Sequence, residues 1–93
     1  MNPKSVNPHN FKVISVLFEN EDFSVAYGIW ADGKKYLAMR WNGDDSDAGY
    51  PKTFGHPVWF LIDNELKLPI IKSLVGIPNT DKEGLIKTIH EEI

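Results

Sequence analysis

The stretch FSVAYGIWADGKKYLAMRW, residues 23–41, determines the fold that the sequence predicts. It contains two runs rich in β-branched and aromatic residues, 23–30 and 34–41, separated by Ala31-Asp32-Gly33. An Asp-Gly pair between two such runs is typical of a tight β-hairpin. The sequence therefore predicts two antiparallel strands that turn at Gly33.

Two turn lengths are compatible with this hairpin, and they differ in which side chains share a face of the sheet. A two-residue turn at Asp32 and Gly33 would mix apolar and charged groups on both faces. A three-residue turn with Gly33 in the left-handed conformation pairs Trp30 with Lys34 instead. We expect this second register, because it collects the apolar side chains on one core face: Phe23, Val25, Tyr27, Ile29, Leu37, Met39 and Trp41.

The opposite face of the hairpin is the candidate ligand-binding surface. Trp30 and Tyr36 can stack on flat groups and Lys34 and Arg40 carry positive charge, a combination that single-stranded nucleic-acid binders display on sheets. Gly28 permits the close approach of a ligand or of another backbone, although sheet bends use glycine in the same way. Cross-strand packing, or half of a dimer interface, accounts for the same residues. All five are expected to be ligand-binding residues on an exposed face.

The segments around the hairpin complete a sheet. Residues 11–18 form an apolar run of strand length, and 58–62 are expected to be a fourth strand buried on both sides. Residues 1–10 contain prolines and asparagines and are expected to be a flexible arm. The glycine- and proline-rich segment 42–57 is expected to be a long mobile connection, whose later part could fold back over the sheet edge or act as a lid.

Two helices are predicted at the end of the chain. The first is placed at 69–75, with Pro69 in its first turn and Gly76 ending it. Before it, Asp63 could cap a turn through Glu65, which leaves open a single helical turn ahead of Pro69. The second begins at Thr80, where Glu83 three residues later gives the form of a capping box. The predicted fold is thus an α+β domain over residues 11–93, an antiparallel four-stranded β-meander followed by two C-terminal helices packed on one sheet face.

Composition excludes several classes of function. The chain has 93 residues, 10 Lys and Arg, 13 Asp and Glu, a net charge of -3 and no cysteine. Disulfides, thiolate zinc sites, iron–sulfur clusters and cysteine nucleophiles are therefore excluded, and the acidic balance is the opposite of that usual in nucleic-acid binders. No apolar run approaches about eighteen residues, so we expect a cytoplasmic protein without membrane contact. A single-layer sheet with this many aromatic residues further predicts a homodimer.

No catalytic motif stands out in the sequence. Histidines occur at His9, His56 and His90, and the helix dipole is a sufficient structural reason for the last of these. An enzyme hypothesis pairs His56 with a loop aspartate under a lid; the candidates are Asp44, Asp45 and Asp47. The same aspartates lack the spacing and the closing glutamate of a calcium loop. We predict no catalytic residue, metal or cofactor; the sequence leaves open whether the protein is an enzyme and favours one that is not.

The motif KYLAMRW (35–41), the glycine-containing polar loop after it, and strand 58–62 leading through DNEL (63–66) into an apolar helix resemble a known family. This family comprises the single-stranded-DNA-binding transcriptional coactivators of the positive cofactor four type and their bacterial relatives, and the similarity covers residues 23–75. The resemblance implies a curved four-stranded sheet, dimerisation through the helix, and single strands bound across aromatic and basic side chains. Trp30, Lys34, Tyr36 and Arg40 are the matching positions.

Three functions are consistent with the sequence. The leading prediction is a small non-enzymatic binding domain whose aromatic and basic sheet face engages a protein partner or a small flat ligand. The second is single-stranded nucleic-acid binding on the same face. The third is a small enzyme that uses His56.

Overall fold

The computed structural model describes residues 3, 6, 8 and 10–93. Its elements in chain order are β1 (Phe11–Glu19), β2 (Phe23–Trp30), β3 (Lys35–Trp41), β4 (Lys52–Thr53), β5 (His56–Pro57), β6 (Phe60–Leu61), α1 (Asn64–Leu74) and α2 (Lys82–Glu92). Strands β1, β2, β3 and β6 form an antiparallel sheet in that order, and β4 pairs with β5 in a separate small hairpin. The predicted α+β class and the four-stranded meander followed by two helices are confirmed.

The hairpin between β2 and β3 has the three-residue turn and the predicted register. Gly33 has a φ of 80°, and its N–H donates to the Trp30 carbonyl at 2.9 Å. The Trp30 N–H donates in turn to the Lys34 carbonyl at 3.0 Å. This turn sets the pairing of the two strands, in which Tyr27 lies opposite Leu37.

The two helices cover one face of the sheet and form the main core with it. Helix α1 contacts β3, and helix α2 contacts β1. The buried side chains of this core are Leu17, Val25, Tyr27, Leu37, Ile62, Ile71, Leu74 and Leu85. Each helix has 11 residues, and within the described chain neither is long and apolar enough to span a membrane.

The opposite face of the sheet is also buried, so the expectation that it is exposed is wrong over its centre. Ala26 and Ala38 have no exposed surface there, and Val6 and Trp59 belong to the same buried cluster. The Trp59 indole N–H donates to the Val6 carbonyl at 2.6 Å. Small side chains on this face therefore make room for a second, smaller core instead of a ligand.

The predicted arm 1–10 lies partly outside the described residues, which include only Pro3, Val6, Pro8 and Asn10 of it. Backbone hydrogen bonds run from Val6 N to Pro3 O at 3.1 Å and from Phe11 N to Pro8 O at 3.0 Å. The second of these bonds joins Pro8 to the first residue of β1. The flexibility of the arm stays a prediction.

Both helices begin at positions other than those predicted. Helix α1 starts at Asn64 rather than at 69, because the Asp63 side chain caps it by accepting from the Glu65 N–H at 2.8 Å. Pro69 lies inside this helix. Helix α2 is capped by Asp81, one residue after the predicted Thr80, through a bond from the Gly84 N–H at 3.1 Å.

The fourth strand is shorter than predicted, because β6 contains only two residues of the run 58–62. The Phe60 side chain is 60% exposed, so the expectation that this strand is buried on both sides is wrong for Phe60. Before β6, the segment 42–57 pairs with the sheet at Tyr50, which forms a bridge with Trp41. The prediction that this segment folds back over the sheet edge is thus correct at Tyr50.

Strand β1 is an edge strand with an irregular outline. Its register against β2 shifts twice, between Val13 and Ser15 and between Val16 and Phe18. At its C-terminal end the chain before α2 covers it, with bonds from Glu19 N to Asn79 O at 3.0 Å and from Asp81 N to Leu17 O at 2.9 Å.

Candidate functional site

Three of the predicted ligand-binding residues lie together at the tip of the β2–β3 hairpin. The rings of Trp30 and Tyr36 meet edge to face, with centroids 6.1 Å apart. The Tyr36 hydroxyl donates to Asp32 Oδ2 at 2.5 Å, and Asp32 Oδ1 accepts from the Lys34 N–H at 2.8 Å. The hydrogen bond from Tyr36 lowers the pKa of the Asp32 carboxyl. The negatively charged Asp32 therefore lies among the aromatic and basic side chains of the tip.

Arg40 is not part of this surface, and the prediction that it is exposed is wrong. Its side chain is 1% exposed and lies at the other end of the hairpin, opposite Ser24. Its guanidinium donates to the carbonyls of Val58 at 2.5 Å, of Pro51 at 3.4 Å and of Ala48, while Nε has no acceptor among the described residues. Burial lowers the pKa of the guanidinium. Arg40 thus holds the segment between β3 and β6 against the sheet.

Gly28 is buried as well, and its neighbours explain why it has no side chain. A Cβ at this position would overlap the Lys12 carbonyl oxygen and the Phe11 ring. The close approach that a glycine permits is therefore that of β1 within the sheet. Gly28 was expected to bind a ligand, but it is buried and has no surface open to one.

A different group of aromatic side chains surrounds a depression at the end of the sheet. Trp41, Tyr50 and Phe60 are 55%, 65% and 60% exposed. The depression has a volume of about 200 Å³, and only apolar atoms are accessible in it. We call it the aromatic groove, and its lining residues are Phe23, Met39, Arg40, Trp41, Tyr50, Pro51, Phe60 and Ile62.

Strand pairing brings the walls of the aromatic groove together. Met39 pairs with Phe60 of β6, and Trp41 exchanges two backbone hydrogen bonds with Tyr50, at 2.7 and 3.1 Å. Phe23 lies opposite Trp41, and their rings meet at a centroid distance of 4.7 Å. Phe23 and Met39 also pack against the main core. The groove is thus an extension of the core face that the two helices leave open.

A second depression adjoins the groove and is acidic. Trp41 and Tyr50 line both depressions. The second has a volume of about 530 Å³, and its remaining lining residues are Glu21, Asp22, Gly43, Asp44, Asp47 and Gly49. We call it the acidic cleft. Exposed apolar walls and a group of carboxylates therefore lie side by side at this end of the sheet.

Asn42 ties the two parts of the acidic cleft together. Its N–H donates to the Asp22 carbonyl at 2.7 Å, and its Nδ2 donates to the Asn20 carbonyl at 3.1 Å. Its Oδ1 accepts from the buried Ser24 hydroxyl at 2.6 Å. These bonds fix the β1–β2 turn, which carries Glu21 and Asp22, beside the loop that follows β3.

The loop itself is closed by local hydrogen bonds of its aspartates. Asp44 Oδ1 accepts from the Ser46 N–H at 2.8 Å and from the Ser46 hydroxyl at 2.9 Å, which lowers the pKa of Asp44. Gly43 and Gly49 both have positive φ, 72° and 79°, and a Cβ on either would overlap the loop backbone. Lys52 is 3.6 Å from Asp47. Across the described chain, this is the only ion pair that involves a carboxylate of the cleft.

The residues of the enzyme hypothesis are not brought into contact. His56 lies in β5 opposite Thr53. In the described ranges, no hydrogen bond or ion pair joins its side chain to an aspartate of the loop. Nor do His, Asp and Glu side chains of those residues form a group of three that could hold a metal ion.

Sequence reasoning missed the aromatic groove. It assigned Trp41 to the core face, Phe60 to a buried strand, and Tyr50 to the later part of a loop that could fold back over the sheet edge or act as a lid. One signal was available: Trp41 is the last residue of the predicted core face. A helix as short as the predicted 69–75 would leave that end of the sheet uncovered, which would expose Trp41. The pairing of Tyr50 with Trp41 had no sequence signal.

Comparison of the chain with protein-family models, with curated proteins and with solved structures finds no match. The resemblance to coactivators of the positive cofactor four type therefore stays a prediction based on the motifs.

Proposed function

We propose that this protein is a non-enzymatic interaction domain that binds a segment of a partner protein in the aromatic groove. The observation that supports this best is the exposure of Trp41, Tyr50 and Phe60 around a depression with only apolar accessible atoms. Clustered exposed aromatic side chains with a polar rim are typical of the centre of a protein interface. The proposal keeps the predicted class of function and moves its site.

The size of the groove favours an anchoring side chain over a whole small molecule. Pockets that enclose small ligands usually have volumes of roughly 300–1,000 Å³. The aromatic groove has about 200 Å³ and is open to solvent along its exposed rings. One or two apolar side chains of a protein segment fit this description better than the small flat ligand considered from the sequence.

The other predicted partners have less support from the geometry. Single-stranded nucleic acid needs cations beside Trp30 and Tyr36, but of the two predicted cations only Lys34 lies there, since Arg40 is buried, and Asp32 adds negative charge. The homodimer prediction assumes that one face of the sheet is bare. In the structure the centre of that face is covered by Val6 and Trp59. A ligand site at the hairpin tip and a cytoplasmic location stay predictions.

The proposal is tested by selecting a random-peptide library on the immobilised protein and measuring which peptides depend on the groove. Phe60→Ser and Tyr50→Ser remove apolar walls of the groove. Ile86→Ser is the matched control, because Ile86 is 67% exposed on α2 and does not line the groove. Circular dichroism and urea unfolding confirm that each variant is folded before it is used.

We expect a set of peptides that bind the wild type and the Ile86→Ser protein and lose at least about tenfold in affinity for both groove variants. A short labelled oligothymidylate serves as the nucleic-acid arm, at low and physiological salt. Selected peptides that bind all four proteins equally would overturn the proposal. Oligothymidylate binding that weakens steeply with salt and is lost in Trp30→Ser would support the nucleic-acid function in its place.

A further inference from the structure

We infer that the segment bound in the aromatic groove is basic, with Lys or Arg side chains next to an apolar anchor. This inference rests on the proposed function and names the chemistry of the partner. It follows from the position of the acidic cleft, which shares Trp41 and Tyr50 with the groove.

The shared walls determine what lies beside a bound anchor. An apolar side chain in the groove would contact Trp41 and Tyr50, which also line the cleft, so its neighbours along the segment would lie over the cleft. Lys and Arg fit this position, because their aliphatic stems pack on aromatic rings while their charged ends reach carboxylates. A single extended segment could therefore place an apolar side chain in the groove and a basic side chain over the acidic cleft.

The carboxylates of the cleft are mostly unpaired within the protein. Glu21, Asp22 and Asp44 have no ion pair with any described residue, and Asp47 has only the distant contact with Lys52. The hydrogen bonds from Ser46 stabilise the charged form of Asp44. Four negative charges thus converge on one side of the groove with a single cation to offset them.

The same charge argues against the other occupants of the groove. A second copy related by a two-fold axis would bring its own acidic cleft against this one, because such an interface uses the same surface twice. Nucleic acid and acidic peptides would likewise place negative charge against the cleft. Such repulsion between like charges excludes wrong partners from an interface. A basic segment is the occupant whose charge complements the surface.

The test compares the composition of the groove-dependent peptides with that of the input library. We expect enrichment of Lys and Arg and depletion of Asp and Glu beside the apolar anchor. The tightest of these peptides is then measured against the Glu21→Gln/Asp22→Asn protein. These two side chains accept no hydrogen bond within the described chain, so their neutralisation removes no bond that holds the β1–β2 turn. Glu83→Gln, on the first turn of α2, is the control for a distant acidic residue.

We expect the double variant to bind the selected peptide about threefold to tenfold more weakly at low salt, with a smaller difference at physiological salt. The Glu83→Gln protein should bind as the wild type does. Groove-dependent peptides without excess positive charge, or with equal affinity for the double variant, would overturn the basic partner and leave the proposed function standing. An absence of groove-dependent peptides would overturn both.

Discussion

Arg40 holds the segment that carries Tyr50 and Pro51, two walls of the aromatic groove. Its guanidinium bonds the carbonyls of Ala48 and Val58, which lie on either side of Tyr50 and Pro51 in the chain. No carboxylate of the described chain lies within ion-pair distance of it. The burial of this charge is therefore offset by carbonyl dipoles alone, and its removal leaves those carbonyls without donors.

The substitution Arg40→Met is expected to lower the free energy of unfolding by about 3 kcal/mol, because it removes three charge-assisted hydrogen bonds, the one to Pro51 being long at 3.4 Å. Urea unfolding measures this change, and Lys12→Met is the matched control, since Lys12 is exposed on β1 and has no ion pair within the described chain. Arg40→Lys keeps the charge and should lose less stability. An Arg40→Met protein as stable as wild type would show that the loop is held by other contacts.

Glu92 is expected to make stability depend on pH. Desolvation opposes its ionisation, but hydrogen bonds from Tyr27 and from Lys67, whose Nζ is 3.0 Å away, outweigh it and lower the pKa of Glu92. A carboxyl with a lowered folded-state pKa stabilises the fold above its ordinary pKa, and this contribution is lost as the pH falls through the folded-state value. Glu92→Gln should therefore cost about 1 kcal/mol near neutral pH and progressively less in acid.

Urea unfolding at several pH values between neutral and strongly acidic measures the Glu92 contribution. Glu65→Gln serves as the control, because Glu65 is exposed in the first turn of α1. A gap between wild type and Glu92→Gln that stays constant as the pH falls would contradict the expected linkage.

At the scale of elements, helix α1 shows where local signals mislead. A proline lacks the N–H that would bond the carbonyl four residues earlier, so the sequence predicts that the helix proper starts at Pro69, with at most a single turn capped by Asp63 before it. The structure extends the helix back to Asn64 because Asp63 caps it, and Ile71 and Leu74 pack into the main core. Lys67 adds a bond from its Nζ to the Lys35 carbonyl at 2.9 Å. Cap and tertiary contacts together outweigh one missing hydrogen bond.

The substitution Pro69→Ala should consequently stabilise the protein, by about 2 kcal/mol, because an interior proline is disfavoured and this one is exposed. Thermal unfolding measures the change, with Lys72→Ala on the same helix as an exposed control expected to be nearly neutral. A loss of stability on replacing Pro69 would contradict this expectation and mean that Pro69 itself favours the packing of α1 on the sheet.

For the whole molecule, the sequence predicted what is local and periodic. The alternation of residues along 23–41 and the left-handed Gly33 fix the hairpin register, which is confirmed. The second core was not predictable in this way, because Val6 and Trp59 are far apart in the chain and neither belongs to a periodic pattern. The exposure expected for Arg40 is wrong for the same reason: the carbonyls that bury it come from a segment without sequence periodicity.

We expect the chain to be a monomer in solution at neutral pH and low salt. The face whose exposure favours a dimer is covered at its centre, and the acidic cleft disfavours pairing through the groove. Sedimentation equilibrium over a range of concentrations measures the mass. A concentration-independent dimer whose mass falls in the Phe60→Ser variant would show that the groove binds a second copy instead.

The outline of β1 also bears on how the protein behaves when concentrated. Amyloid grows by adding strands to a long, straight sheet edge. Along β1 the register is unbroken only over 11–13 before the first shift, and Asn79 and Asp81 occupy the other end. In the folded protein, an added strand could pair with only a short straight part of β1, the longest strand. We therefore expect the native protein to seed fibrils slowly, even at the high concentrations used for crystallisation.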